Sequence, residues 1–328
     1  MNWHGKHVLV TGAGGFIGSH LTERLAAEGA TVTGLVHYNA LDNWGWLGDS
    51  KLKPDMEVIA GDICDRDSVL HTMKGTEIVF HLAALISIPY SYTAPVSYLR
   101  TNIEGSLNIM QAARQLGVER VLHTSTSEVY GTALRIPIDE EHALQGQSPY
   151  SASKIGADKM VEAYHRSFGV PVVTVRPFNT FGPRQSARAV IPTIISQCLA
   201  GKEAISLGSL TPTRDMNYVS NTVDGYIAAA SSSEAIGGTF NLGSGREISI
   251  LDLANLIAKL VGVDIAIESK GQRVRPENSE VERLVSDSSL ARRALGWEPR
   301  VDLEEGLERT ISWIRENMDE YRPDAYTV

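Results

Sequence analysis

Val8-Leu9-Val10-Thr11-Gly12-Ala13-Gly14-Gly15-Phe16-Ile17-Gly18 joins an apolar run to a glycine turn, and the turn to a helical pattern with Ile17, Leu21 and Leu25 on one face. Strand, glycine turn and helix in that order make an anion site. Glycines at 12, 15 and 18 permit a tight turn and close backbone approach, so a pyrophosphate can sit on the exposed N–H groups of the helix start. The spacing is G-x-x-G-x-x-G rather than G-x-G-x-x-G, so the turn takes its meaning from its surroundings. Further short apolar runs, Ala30 to Val36, Glu57 to Ile59, Ile78 to Leu82, Arg120 to His123 and Val172 to Val175, alternate with amphipathic helices. That alternation predicts an α/β fold with a parallel, doubly wound sheet.

Helical spacing places Leu99, Ile103, Leu107 and Met110 on one face between Ser97 and Leu116, and does the same for Ala157, Met160, Val161, Tyr164 and Phe168. Both faces are expected to look inward, with some apolar surface left for a partner helix. After Pro177 the regularity breaks into short elements and loops rich in glycine, proline and arginine. This predicts a main domain over 1–178 and a smaller, discontinuous lobe mainly over 179–328. Segments near 215–245 are expected to return, since Asp215 to Val219 and Thr239 to Leu242 read as strands. The aromatic loop Asn43-Trp44-Gly45-Trp46-Leu47-Gly48 reads as a hydrophobic plug over the sheet edge rather than a stacking site.

The 328 residues, 43% of them hydrophobic, suffice for a large core in one big or two modest domains. A net charge of −9 argues against broad nucleic-acid or anionic-membrane binding, so an anionic substrate must be held by local arginines. Arg184, Arg188, Arg214, Arg273 and Arg275 are candidates. Cys64 and Cys198 lie far apart without metal-ligand spacing, so neither a metal site nor a disulfide framework is expected. A strand begins almost at once, without a basic leader or a membrane-length apolar stretch, which makes the cytoplasm the default expectation.

Two further motifs carry chemistry. Ser148-Pro149-Tyr150-Ser151-Ala152-Ser153-Lys154 sets a tyrosine and a lysine four apart at the head of a helix, hence on one face. An ammonium beside a phenol is expected to pull the tyrosine below its usual value of about 10 and make it a base. Alone, such a pair reads as two residues on a solvated helix. Ser125-Thr126-Ser127-Glu128-Val129-Tyr130-Gly131 follows the strand pattern Val121-Leu122-His123 and puts hydroxyls and a carboxylate where open α/β sheets bind ligands.

With these three motifs in order, the chain resembles the extended short-chain dehydrogenase/reductases, Rossmann-fold enzymes, over nearly its whole length. The finer likeness is to nucleotide-sugar 4,6-dehydratases, particularly the UDP-N-acetylglucosamine type of legionaminic acid-like pathways. It is carried by Leu85-Ile86-Ser87-Ile88-Pro89-Tyr90-Ser91-Tyr92, Gln185-Ser186-Ala187-Arg188-Ala189-Val190-Ile191-Pro192 and Arg275-Pro276-Glu277-Asn278-Ser279.

The resemblance implies that Tyr150 takes the proton of the sugar 4-hydroxyl, Lys154 tunes it, and Glu128 removes the C5 proton before water leaves from C6. It implies a catalytic set of Thr126, Ser127, Glu128, Tyr150 and Lys154. The family's Thr-Asp-Glu triplet stands here as Thr126-Ser127-Glu128, leaving open whether Ser127, a water or Glu128 protonates the departing hydroxyl. GDP-mannose 4,6-dehydratases resemble the chain in that serine; UDP-glucuronate decarboxylases share the whole T-S-E pattern and are the main competitor. Two further readings are a C4 epimerase, which needs no Glu128, and a non-catalytic dinucleotide-sensing regulator, against which intact Tyr150, Lys154 and Glu128 argue.

By the same resemblance the dinucleotide lies against Gly12, Gly15, Phe16, Ile17, Gly18, His37, Asp62, Ile63, Leu82, Ala83 and Ala84, with Tyr150 and Lys154. NAD is expected, with NADP left open, because Val36-His37-Tyr38 offers neither the acid that binds a ribose 2′-hydroxyl nor the cation that binds a 2′-phosphate. Asp62 reads equally as an adenine contact or as a helix N-cap. Ser87, Asn179, Arg188, Val190, Arg214 and Arg275 are implied to hold the nucleotide-diphosphate sugar. A homodimer is implied as well, paired through the helices of Ser97 to Leu116 and Ser148 to Phe168.

Overall fold

The computed structural model describes residues 1–41, 43–271, 276–321 and 323, with Glu277 described by its backbone. Six strands come from the first half: β1 (His7–Thr11), β2 (Thr31–His37), β3 (Met56–Gly61), β4 (Ile78–His81), β5 (Arg120–Thr124) and β6 (Val172–Pro177). They lie parallel in the order β6-β5-β4-β1-β2-β3. The second half adds β7 (Asn179–Phe181), β8 (Ala204–Leu207), β9 (Thr213–Tyr218), β10 (Thr239–Leu242), β11 (Glu247–Ser249), β12 (Ala266–Ser269) and β13 (Arg283–Leu284).

Of these, β10 pairs parallel with β6 and completes a seven-stranded sheet. The expected return at Asp215 to Val219 is a different strand pairing. β9 takes β7 and β13 as parallel partners and β11 as an antiparallel one, in a separate four-stranded sheet. The reason is connectivity: β7 starts two residues after β6 ends and carries the chain off the main sheet, so its partner β9 stays with it. Only after a crossover helix does the chain come back as β10.

The helices are α1 (Phe16–Ala27), α2 (Arg66–Thr72), α3 (Ile88–Thr93), α4 (Pro95–Tyr98), α5 (Gly105–Leu116), α6 (Pro149–Phe168), α7 (Val190–Leu199), α8 (Val219–Ser231), α9 (Ile250–Val261), α10 (Ser289–Leu295) and α11 (Leu303–Glu316). A π turn, Leu99–Glu104, joins α4 to α5. The two-residue period of the strands divides the sheet into two cores. Leu9, Val79, Val121 and Val172 face Ile109 and Met110 of α5 and Val161 of α6. Their neighbours Val8, Val10, Phe80, Leu122 and Val173 share a core with Leu21 and Leu25 of α1 and Val223 and Tyr226 of α8.

The strand order reverses between β4 and β1, so a crevice opens at their C-terminal ends, where such sheets bind ligands. The Trp44 loop packs there rather than hanging free. Leu47 is buried, Trp46 N–H donates to Gly14 O at 3.1 Å, and Trp46 meets Trp313 of α11 edge-on.

Candidate active site

Each part of the site is fixed by local chemistry. Gly12 has φ +71°, a conformation L side chains rarely adopt, and a Cβ there would stand 2.9 Å from Ala83 N, so the turn lies directly on the end of β4. A Cβ on Gly18 would collide with Gly12 O. Gly15 caps α1 without a side chain, and the first turn of α1 carries no acid, so its N–H groups stay open to an anion. Thr11 Oγ1 accepts Leu82 N–H and Ala83 N–H, both at 3.1 Å, and thereby holds the β4 end against the turn. These features fit a dinucleotide pyrophosphate.

At the end of β2, exposed His37 stands 4.0 Å from the carboxylate of Asp62, which follows β3. A carboxylate thus stands beside the end of β2, where β2 itself carries none. Asp62 is not a helix cap. It accepts Cys64 N–H, whereas Asp65 caps α2 through Asp67 N–H and Ser68 N–H. Beside these ends lies a cavity of about 280 Å³ lined by Val36, Tyr38, Asn39, Asn43, Trp44 and Ala60, residues that sequence reasoning did not assign to the dinucleotide. Its wall is an Asn39 turn, whose Oδ1 accepts Leu41 N–H and Asn43 N–H. The Ile63 side chain is core, pressed against Gly105, which leaves its backbone as the part that faces the β3 end.

α6 begins with a capping box between Ser148 and Ser151 and with Pro149 in its first turn, worth about 1 kcal/mol as a cap, and this fixes where Tyr150 projects. Tyr150 is 7% exposed, edge-on to Tyr98 and beside Leu85 and Ile88. The Thr126 side chain and the Glu128 charge both act on its phenol, the first favouring the phenolate and the second opposing it. Thr126 also accepts Glu128 N–H at 3.2 Å as the cap of the short turn Ser127–Tyr130. Lys154, 4% exposed, donates to Thr124 O at 2.6 Å. Thr126, Glu128, Tyr150 and Lys154 are therefore brought together, with Ser127 buried in the same turn.

The expected lowering of Tyr150 by Lys154 is corrected by this geometry. Burial pushes the phenol well above its ordinary range, Glu128 adds to the rise, and the Thr126 side chain opposes it. Lys154 spends its ammonium on the Thr124 carbonyl, and burial brings it down to about 8. The π turn supplies a residue that the sequence pattern did not reveal. Buried Asn102 donates to Leu85 O and Ser153 Oγ and accepts Leu85 N–H, tying the substrate-side loop to α6 between Tyr150 and Lys154.

On the other wall, Asn179 Oδ1 is buried without a protein partner. Ser87 caps α3 through Tyr90 N–H, Val190 opens α7, and Arg188 is exposed with Nε on Ser186 Oγ at 3.1 Å. Arg214 is buried and engages Glu280. Arg184 is committed to Glu23 of α1 through both terminal guanidinium nitrogens. Arg273 and Arg275 lie outside the described residues. Burial pushes both Cys thiols up to about 11, which removes them as nucleophiles.

A model of the GDP-mannose 4,6-dehydratase family matches residues 9–310. The chain belongs to this family of NAD-dependent nucleotide-sugar dehydratases and epimerases. A UDP-glucose 4-epimerase of Mycolicibacterium smegmatis is 34% identical over 315 residues, covering 94% of this chain and 98% of that one. UDP-glucuronic acid decarboxylase 1 of Xenopus tropicalis is 33% identical over 339 residues, covering 98% of this chain and 75% of the relative. The chain spans about half the length, 48%, of a trifunctional UDP-glucose 4,6-dehydratase of Arabidopsis thaliana that is 33% identical to 95% of it. The dTDP-glucose 4,6-dehydratase DesIV of Streptomyces venezuelae, solved as a double mutant with NAD bound, superposes with a TM-score of 0.87 at 29% identity, over 96% of this chain and 98% of that one. Among the described residues no helix of this family member is long and apolar enough to cross a membrane.

Proposed function

We propose that the protein is a nucleotide-sugar 4,6-dehydratase that converts UDP-N-acetylglucosamine into a UDP-4-keto-6-deoxy sugar. The observation that carries the reading is the turn Ser127–Tyr130, capped by Thr126 through Glu128 N–H, which brings the Glu128 charge within reach of the Tyr150 phenol. NAD, when bound, would supply the hydride acceptor and donor for the sugar. The glycine turn and the open start of α1 support its pyrophosphate, and the Asp62 carboxylate at the β2 and β3 ends suits a ribose 2′-hydroxyl better than a 2′-phosphate.

Tyr150 Oη takes the proton of the 4-hydroxyl as C4 becomes a ketone. Because burial opposes the phenolate, positive charge has to be near when this happens, and Lys154 is the cation of this chain closest in sequence and on the same helix face. The ketone acidifies C5–H, and Glu128 removes that proton while the 6-hydroxyl leaves with a proton as water. Ser127, buried in the same turn, is a candidate donor to the leaving oxygen. Hydride returned to C6 and a proton returned to C5 complete a product one water lighter, with no net redox change.

The segment 1–178 is read as the dinucleotide half and 179–328 as mainly the nucleotide-sugar half, with α8 and β10 returning to the first. Asn179, Arg188, Val190, Arg214 and Ser87 are read as the sugar-nucleotide wall, the unpartnered Asn179 amide oxygen being its clearest sign. Arg188, exposed near the Tyr98 side of the site, keeps a uronate decarboxylase as the second reading. Deuterium at C4 of the substrate should reappear at C6, because one cofactor takes and returns it within one site. Washout of the label, or carbon dioxide released from a UDP-uronate, would replace the dehydratase reading with its rival.

A further inference from the structure

Beneath the reacting set lies a buried carboxylate that the chemistry above does not use. Asp158 is 5% exposed and stands one helical turn beyond Lys154 on α6. Its Oδ1 accepts His123 Nε2 at 3.0 Å; its Oδ2 accepts Ser125 Oγ at 2.7 Å and Arg176 Nη2 at 3.0 Å. His123 and Ser125 flank Thr124, whose carbonyl receives Lys154, and Ser125 runs directly into Thr126 and Glu128. Arg176 also donates to the Tyr130 hydroxyl at 2.9 Å, and that hydroxyl donates to Asn241 of β10 at 2.7 Å. The turn Ser127–Tyr130 is thus gripped just before its start, through Ser125, and at its last residue, through Arg176. Both grips end on one carboxylate.

Stability does not explain such an arrangement, since a buried Asp–Arg pair is about as stable as an apolar replacement of the same shape, or less so. Geometry does. We propose that Asp158 is a positioning residue that sets Glu128 against Tyr150 and Lys154 by tying the catalytic helix to both ends of the turn that carries Glu128. The proposal rests on reading those three residues as the reacting set.

A second consequence is electrostatic. The titratable groups that interact with Lys154 are Asp158 on α6, His81 on β4 and His123 on β5, and Tyr226 on α8 shares Thr124 with it, its hydroxyl donating to the threonine side chain. Burial weakens the hold of Lys154 on its proton, and Asp158 is the charge that opposes this. Removing it therefore moves the lysine titration to lower pH.

The test compares Asp158→Asn and Ser125→Ala in the NAD-loaded enzyme, reading kcat and KM for UDP-N-acetylglucosamine and the Lys154 titration by NMR of 13C-labelled lysine. Asp158→Asn is expected to lower kcat ~10-fold or more with KM within about threefold. It should also bring the Lys154 midpoint down by roughly one pH unit. Ser125→Ala should lower kcat less and leave the midpoint in place. Wild-type kcat in either variant overturns the proposal, as does an unmoved Lys154 midpoint in Asp158→Asn or a loss that tracks the unfolded fraction alone. Should Asp158→Asn fail to fold, Asp158→Asn with Arg176→Gln leaves a neutral amide pair and is held to the same outcomes. A wild-type enzyme inert toward every nucleotide sugar would sink the functional reading, while the lysine titration would still decide whether Asp158 and Lys154 are coupled.

Discussion

At the scale of single residues, the site works by burial as much as by charge. Tyr150→Phe removes the acceptor for the 4-hydroxyl proton and should cost ~10²-fold or more in kcat while nucleotide-sugar binding survives; a variant retaining a tenth of wild-type kcat would show that another group is the base. Glu128→Gln should separate the steps, since an amide cannot take the C5 proton. Reduced nicotinamide and keto sugar should build up in a single turnover followed at the nicotinamide absorbance band, and full product formation would remove Glu128 from the reaction. Lys154 supplies a pH test. Its folded value of about 8 lies below its unfolded 10.5, so the folded protein binds fewer protons between the two and the lysine's contribution to stability grows as pH rises through that window. Activity that needs the ammonium should therefore fall above about pH 8 with no Lys154-driven loss of stability, which a kcat–pH profile beside a melting curve would check.

Elements give these residues their positions. The start of α1 is usable because three backbone segments meet with no Cβ between them: Gly12 against Ala83, Gly18 against Gly12, and Gly14 against Trp44 O. Gly18→Ala forces a methyl into the carbonyl of Gly12, which must move the turn off the pyrophosphate position. NAD affinity, measured by titration calorimetry, should fall ~10-fold or more, a loss of about 1.4 kcal/mol or greater; unchanged affinity would mean that the dinucleotide does not rest on this turn. The π turn Leu99–Glu104 acts on the opposite wall, where one extra residue in the helical turn lets Asn102 reach both Leu85 and Ser153.

For the molecule as a whole, the helices around the site leave apolar surface uncovered. Leu99 is 53% exposed and Phe168 46%, the latter stacked under Arg114, while Ile103 packs inward against Gly156. Part of the apolar stripe of these helices thus faces the chain's own sheet and part does not. A homodimer is expected, with the segments Ser97 to Leu116 and Ser148 to Phe168 paired about a two-fold axis in an isologous contact. Light scattering at micromolar concentration should return about twice the chain mass of 35.7 kDa, and Leu99→Asp should shift it toward the monomer; a monomeric wild type would refute the pairing.

How much of this was legible in the chain follows from the range of the forces involved. Strand runs of period two, the glycine turn and the Tyr150–Lys154 pair depend on neighbours within a few residues, and the sequence by itself determined the parallel sheet, the glycine turn at its switch point and the helix face that Tyr150 and Lys154 share. The tertiary structure alone decided that Asp215–Tyr218 stays out of the main sheet, because pairing with β7 is a choice between distant partners. It also decided that Asp62 rather than a β2 residue brings a carboxylate to His37, and that Ile63 and Arg184 serve packing and an ion pair with Glu23. Protonation lay furthest from the sequence: the same tyrosine and lysine that spacing pairs are driven apart in pKa by desolvation, which depends on every atom packed around them, most of them distant in the chain.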